Sequence, residues 1–181
     1  VELHDFAFLK GNKIKLIPAE LKHKRMAYDF GTYPEIAKWI FCEPDKEPVS
    51  YEQFDKDYVD FYFTGEELKK GRGYMICDED MKIIGFISYS DYDINKHIYE
   101  MDLWLCCESV CGKGYGTDAL ATLSDYLLSI RDVNKLIIVP NKNNVRAIKS
   151  YKKAGYREIS GNMLQEFLDA DPDGKPLSKQ K

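Results

Sequence analysis

Residues 109 to 120 read SVCGKGYGTDAL: Gly112, Gly114 and Gly116 fall within five positions, and good helix-forming sequence follows at once. Backbone N–H groups in the first turn of a helix have no intrahelical partner and face any anion placed there. Glycine lets the main chain approach such an anion without a Cβ in the way. The chemistry on offer is phosphate binding. A Walker loop is excluded because Lys113 is followed by Gly114 and Tyr115 where a hydroxyl residue is required. A dinucleotide G-x-G-x-x-G fingerprint fails because Thr117 stands where the third glycine belongs. Two readings remain: a pyrophosphate loop of the form Gln/Arg-x-x-Gly-x-Gly/Ala, with Cys111 in the Gln/Arg place, or a tight strand-to-helix turn that binds nothing.

Carboxylates and a phenol stand on either side of that loop. Glu100, Asp102, Trp104 and Cys106 alternate in a strand-like run, so they share one face and two carboxylates line one cleft. The competing reading is a solvated strand face, and for Glu100 it comes first. Tyr151 follows Asn144 by seven residues and Ile148 by three, which puts all three on one side of a helix. A core tyrosine and a helix-capping asparagine are the alternatives there. Cys42, Cys77, Cys106, Cys107 and Cys111 are an odd set without C-x-x-C spacing, and the histidines at 4, 23 and 97 are scattered. Reduced thiols and no metal are expected, with no activated cysteine nucleophile.

The elements that must position these groups alternate between helix and strand. KIKLIPAEL reads as a strand stopped at Pro18, followed by helical sequence near 19 to 30 and 33 to 41. Tyr51, Phe54, Tyr58 and Phe61/Tyr62 recur at three and four, the mark of one amphipathic helix. Residues 73 to 93 read as a hairpin about an acidic turn, and HIYEMDLWLCCE as a third strand. After the glycine loop come a helix through Leu120, Leu123, Leu127 and Ile130, the strand NKLIIVP, a helix closed by Gly155 and a short strand YREIS. This predicts one α/β domain over residues 1–168, a mixed, mainly antiparallel sheet flanked by helices, and a polar, mobile tail over 169–181.

The run IIVPNKNNVRAIKSYKKAGY, residues 137 to 156, resembles the second signature of the GNAT acyl-CoA-dependent N-acetyltransferases, with Asn144, Ala147, Ile148, Tyr151, Gly155 and Tyr156 in its places. With the glycine loop the resemblance spans about residues 73 to 160. Pro140, and an acidic residue twelve positions before Gly114, make it most similar to the aminoglycoside 6′-N-acetyltransferase branch. The resemblance implies acetyl-CoA as cosubstrate, its pyrophosphate on Cys111, Gly112, Lys113, Gly114, Tyr115, Gly116 and Thr117, with a helix beginning near Thr117. It implies pantetheine along Trp104, Leu105 and Cys106, Asn144 as a further coenzyme contact, Tyr151 as acid for the leaving thiolate, and Asp102 as the catalytic carboxylate. Glu100 and Asp102 then face the acceptor, a primary amine of a polyamine-like or aminoglycoside-like molecule. A protein amine, or a non-catalytic acyl-CoA-binding domain, is the alternative.

Bulk properties agree. The 181 residues carry a net charge of −4 with a sequence pI near 5.5, against a nucleic-acid partner. No run approaches the roughly 18 apolar residues of a membrane span, so a cytoplasmic monomer or homodimer without a membrane partner is expected. The acidic stretch from Glu43 to Glu67 reads as a solvated face, and as an attractor of cationic substrates if it flanks the cleft.

Overall fold

The first strands are short: β1 (Leu9–Lys10) and β2 (Lys15–Pro18) meet across a turn in which the Gly11 N–H donates to the Ile14 carbonyl. The computed structural model describes residues 2–43, 46–130 and 132–181. Asp45, within the acidic stretch, lies outside them. Next come α1 (Lys24–Thr32) and α2 (Pro34–Phe41), the latter started by Pro34 in the first turn, where proline's missing N–H costs nothing. The single amphipathic helix expected over 51–62 is two: α3 (Tyr51–Asp57), capped by the Ser50 hydroxyl, and α4 (Phe61–Thr64). Tyr58 leaves helical geometry at φ −102°, ψ 72°, and its ring packs against Phe54, Phe86 and Trp104.

Three long strands follow as expected, β3 (Gly71–Cys77), β4 (Ile83–Asp93) and β5 (Ile98–Leu105), all antiparallel. Alternation sends Ile76, Ile87, Tyr89 and Met101 to one face, and Met75, Phe86 and Trp104 to the other. Helix α5 (Tyr115–Ser129) covers the first face with Leu120, Leu123 and Leu127, while α1 to α4 cover the second with Ala27, Ile36, Phe54 and Phe63. Then come β6 (Lys135–Ile138), α6 (Val145–Lys153) and β7 (Arg157–Glu158), also as expected.

The chain's end corrects the expectation of a mobile tail. Helix α7 (Asn162–Ala170) precedes β8 (Leu177–Gln180), which inserts between β6 and β7 and pairs antiparallel with both. Leu177 is fully buried, and the Lys179 ammonium reaches Asp125 at 2.8 Å. Among the described residues the sheet order is β1-β2-β3-β4-β5-β6-β8-β7, with every pair antiparallel except β5–β6. That exception creates the cleft.

Candidate active site

β5 and β6 run parallel only from Ile98 to Glu100 on one side and from Lys135 to Ile137 on the other, after which β5 continues to Leu105 without a β6 partner. The Cys106 N–H donates to the Ile84 carbonyl at 2.8 Å. Antiparallel alternation then commits the Trp104 backbone to Phe86 as well, and turns the polar groups of Leu103 and Leu105 towards the open side. The exposed edge is therefore Leu103 and Leu105; of the expected run Trp104, Leu105 and Cys106, Leu105 alone turns to it. The indole N–H of Trp104 donates to the Ala27 carbonyl at 2.9 Å, so this side chain braces the cleft wall.

Where the strands part, the glycine loop turns into α5. Gly112 and Gly114 hold φ of 74° and 88°, which side-chain-bearing residues rarely adopt. The helix opens at Tyr115, two residues earlier than expected, and Gly114 is its cap. No Cβ contact lies within 4 Å of Gly112, so the loop faces open space. A cavity of about 580 Å³ spreads from this loop along Leu103 and Leu105 to α6, which presents Arg146, Lys149 and Lys153.

A second cavity, of about 330 Å³, lies on the other side of Tyr151, between β5, α1 and α3. Leu103, Trp104, Asn144 and Tyr151 line both, so the two meet end to end. Glu100 and Asp102 form the floor of the second, with Tyr28, Phe54 and Tyr58 among its walls; no lysine or arginine lines it among the described residues. The Tyr58 hydroxyl donates to Asp102 Oδ2, and the Leu103 N–H to Oδ1 at 3.0 Å. Solvent reaches Asp102 through the cleft, yet the surrounding protein raises its pKa against these two stabilising bonds. Glu100 is pushed up to about 7, by desolvation first and by the neighbouring Asp102 second. It is half-buried in the cleft, which corrects its first reading as a solvated strand face. Desolvation, and then the nearby Asp102 charge, raises the Tyr151 phenol well above its ordinary value. Its hydroxyl has no hydrogen-bond partner among the described residues.

The structure thus brings Asp102, Glu100 and Tyr151 onto the smaller cavity, and Trp104, Leu105, Cys111, Gly112, Gly114, Gly116, Thr117 and Asn144 onto the larger one, with Tyr151 shared. Cys106, Lys113 and Tyr115 do not line it. Cys106 packs towards the α5 face because it lies past the end of β5, where alternation stops, and desolvation pushes its thiol up to about 12. Asn144 is committed twice: Oδ1 accepts from the Ala147 N–H at 3.1 Å to cap α6, and Nδ2 donates to the Trp39 carbonyl at 2.7 Å. Thr117 Oγ1 meets Ser150 Oγ at 2.6 Å. Sequence reasoning missed Lys13, Trp39 and Tyr58, which reach the cavities from far upstream. The aromatic stripe containing Tyr58 is the available signal for it.

Comparison with known proteins bears on this geometry. A family model described as "Acetyltransferase (GNAT) domain" matches residues 13–157. Among curated proteins, an uncharacterized N-acetyltransferase of Methanocaldococcus jannaschii is 25% identical over 135 residues, 75% of this chain and 83% of that one. The spermidine N(1)-acetyltransferase of Escherichia coli K12 is 24% identical over 158 residues, 87% of this chain and 79% of that one. Among solved structures, AAC(6')-Ib with ribostamycin and coenzyme A superposes with a TM-score of 0.71 at 17% identity, covering 94% of each chain. Spermidine N-acetyltransferase from Vibrio cholerae with coenzyme A and spermine gives 0.67 at 14% identity, covering 93% of this chain and 95% of that one. At these identities the structural likenesses establish the fold.

Proposed function

The chain belongs to the GNAT acetyltransferase domain family, and from that premise we propose that it moves acetyl from acetyl-CoA onto a primary amine of a slender, polyamine-like molecule. The observation that carries the proposal is that Glu100 and Asp102 line the smaller cavity together with Tyr151, which also lines the larger one. The larger cavity takes the coenzyme, with the pyrophosphate on the N–H groups of the glycine loop and the amide-bearing arm along Leu103 and Leu105 as an added strand would lie. The smaller takes the amine. At about 330 Å³ it stands at the low end of small-molecule pockets, and its aromatic walls and two carboxylates suit a thin alkylammonium better than a multi-ring aminosugar. The fold shared with AAC(6')-Ib keeps the aminoglycoside-like acceptor as the second reading.

Each residue has a distinct task. Asp102, held by Tyr58 and the Leu103 N–H, takes the negative charge and draws the ammonium in. Glu100, near neutrality at about 7, removes the proton that an amine with a pKa of about 10 retains at working pH. The freed nitrogen attacks the thioester carbonyl carbon, the adduct nitrogen releases its extra proton to solvent, and the carbon–sulfur bond breaks as the tetrahedral adduct collapses to the amide. Tyr151, whose phenol stays protonated across the working range, donates to the departing sulfur and regains its proton from solvent. Apolar walls at the junction limit attack by water.

Free-thiol release from acetyl-CoA, followed across linear polyamines, aminoglycosides and a peptide with a free amino terminus, tests the acceptor class. A kcat/KM for linear polyamines above the others is the expected ranking. Preference for the peptide or the aminoglycosides would overturn it.

A further inference from the structure

The loop's own lysine, Lys113, does not line the coenzyme cavity, whereas Lys13, a hundred residues upstream, does. Lys13 Nζ donates to the Lys113 carbonyl at 2.9 Å and lies 3.4 Å from where a Cβ on Gly114 would stand. This placement is built by the fold. Asp118, in the first turn of α5, accepts from the Asn12 N–H at 3.1 Å, the Lys13 N–H at 2.7 Å, the Ile14 N–H at 3.2 Å and Asn12 Nδ2 at 3.3 Å. One carboxylate thereby fixes the β1–β2 turn against the glycine loop. Gly11 is required for it: a Cβ there would stand 2.5 Å from Asp118 Oδ2 and 2.7 Å from Thr122 Oγ1. Asp118 is also the single carboxylate among the cavity's described lining residues, and these donors occupy both its oxygens. The cationic head beside the loop is therefore left to meet another anion.

We propose that Lys13 is a coenzyme-binding residue whose ammonium pairs with the pyrophosphate of acetyl-CoA on the glycine loop, the part that the loop sequence would assign to Lys113. The proposal rests on the coenzyme assignment above. It adds that the charge read at the loop comes from the β1–β2 turn, through Gly11 and Asp118, so coenzyme affinity depends on the amino-terminal hairpin as well as on the glycine motif. A flexible ammonium suits this role because it contributes charge without a fixed fork geometry, while the loop's N–H groups supply direction.

The test is calorimetric binding of coenzyme A at low and high salt to wild type and to the variants Lys13→Met, Lys13→Gln, Lys13→Arg and Lys113→Met, with melting temperatures checked for each. Lys13→Gln keeps a donor for the Lys113 carbonyl but no charge. Losing one charge-assisted contact should weaken binding roughly tenfold in both neutral variants, with Arg restoring most of it and Lys113→Met near wild type. The neutral variants should lose part of the salt dependence, and their KM for acetyl-CoA should rise with kcat at saturation unchanged. Neutral Lys13 variants that fold and bind as wild type does, or an equal loss in Lys113→Met, would overturn the proposal alone. A wild type that binds no coenzyme A would overturn it together with the reading on which it rests.

Discussion

At the scale of residues, two carboxylates on one strand face are differentiated by their surroundings. Asp102 has two donors and Glu100 has none among the described residues, so charge settles first on Asp102, while desolvation, and then that neighbouring charge, raises Glu100 to about 7. The kcat/KM for the amine should therefore rise as pH passes through about 7, where Glu100 becomes the base, and Glu100→Gln should lose that limb and much of the rate. Stability runs the other way. Because the folded pKa lies above the ordinary 4.5, the penalty is absent below that pH, grows as pH rises towards about 7 and is constant above it. Glu100→Gln should be more stable than wild type by on the order of 3 kcal/mol at pH 8 and by little at pH 4, measured by denaturant unfolding. An activity loss without a stability gain would show that Glu100 is not desolvated as described. Asp102→Asn should keep coenzyme affinity and lose turnover, with partial recovery at high pH, where the amine needs less help. The same-face placement of these residues is readable from sequence by period two. Their division of labour is not, because Tyr58 comes from another element.

Among the elements, the turn from β5 into α5 is the one whose geometry glycine enforces. Gly114→Val would place a β-branched residue at φ 88°, a conformation it rarely adopts, so the backbone beside Lys13 must shift. A destabilisation of roughly 1–3 kcal/mol together with weakened coenzyme A binding is expected, by thermal melting and calorimetry. Unchanged affinity in a folded variant would remove the loop from the phosphate site. The loop was legible because its glycines are adjacent in sequence, and so were β3 to β5, where large apolar residues alternate over long runs. Strand β8 was not: Leu177–Gln180 has one apolar residue among polar ones and follows Pro172 and Pro176, a composition shared with mobile tails. Burial of Leu177 between β6 and β7 overrides that composition. Leu177→Ala should cost about 2–4 kcal/mol in denaturant unfolding. A cost near zero would return the segment to tail status.

For the whole molecule, the net charge of −4 gives no account of the site, because the two cavities carry opposite signs: lysines and an arginine around the larger, carboxylates on the floor of the smaller. The described carboxylates of the acidic stretch are exposed, the solvated face read from the sequence, and several form surface ion pairs. Asp55 and Asp60 pair with the buried Lys24, and Glu52 pairs with Lys56. Glu100 and Asp102 are the carboxylates that line the smaller cavity itself, among its described residues. Tyr151 lies between the cavities and touches both, so the central claim, that acetyl passes from one to the other at this junction, rests on that residue more than on any other. The most direct measurement is amine-dependent thiol release from acetyl-CoA by wild type and Tyr151→Phe, with coenzyme A affinity measured on both. The account predicts unchanged affinity and a turnover lower by roughly 10²–10⁴-fold in the variant, the loss typical of a missing general acid. Equal turnover in the two proteins, or a wild type that binds coenzyme A and releases no thiol with any amine, would contradict it.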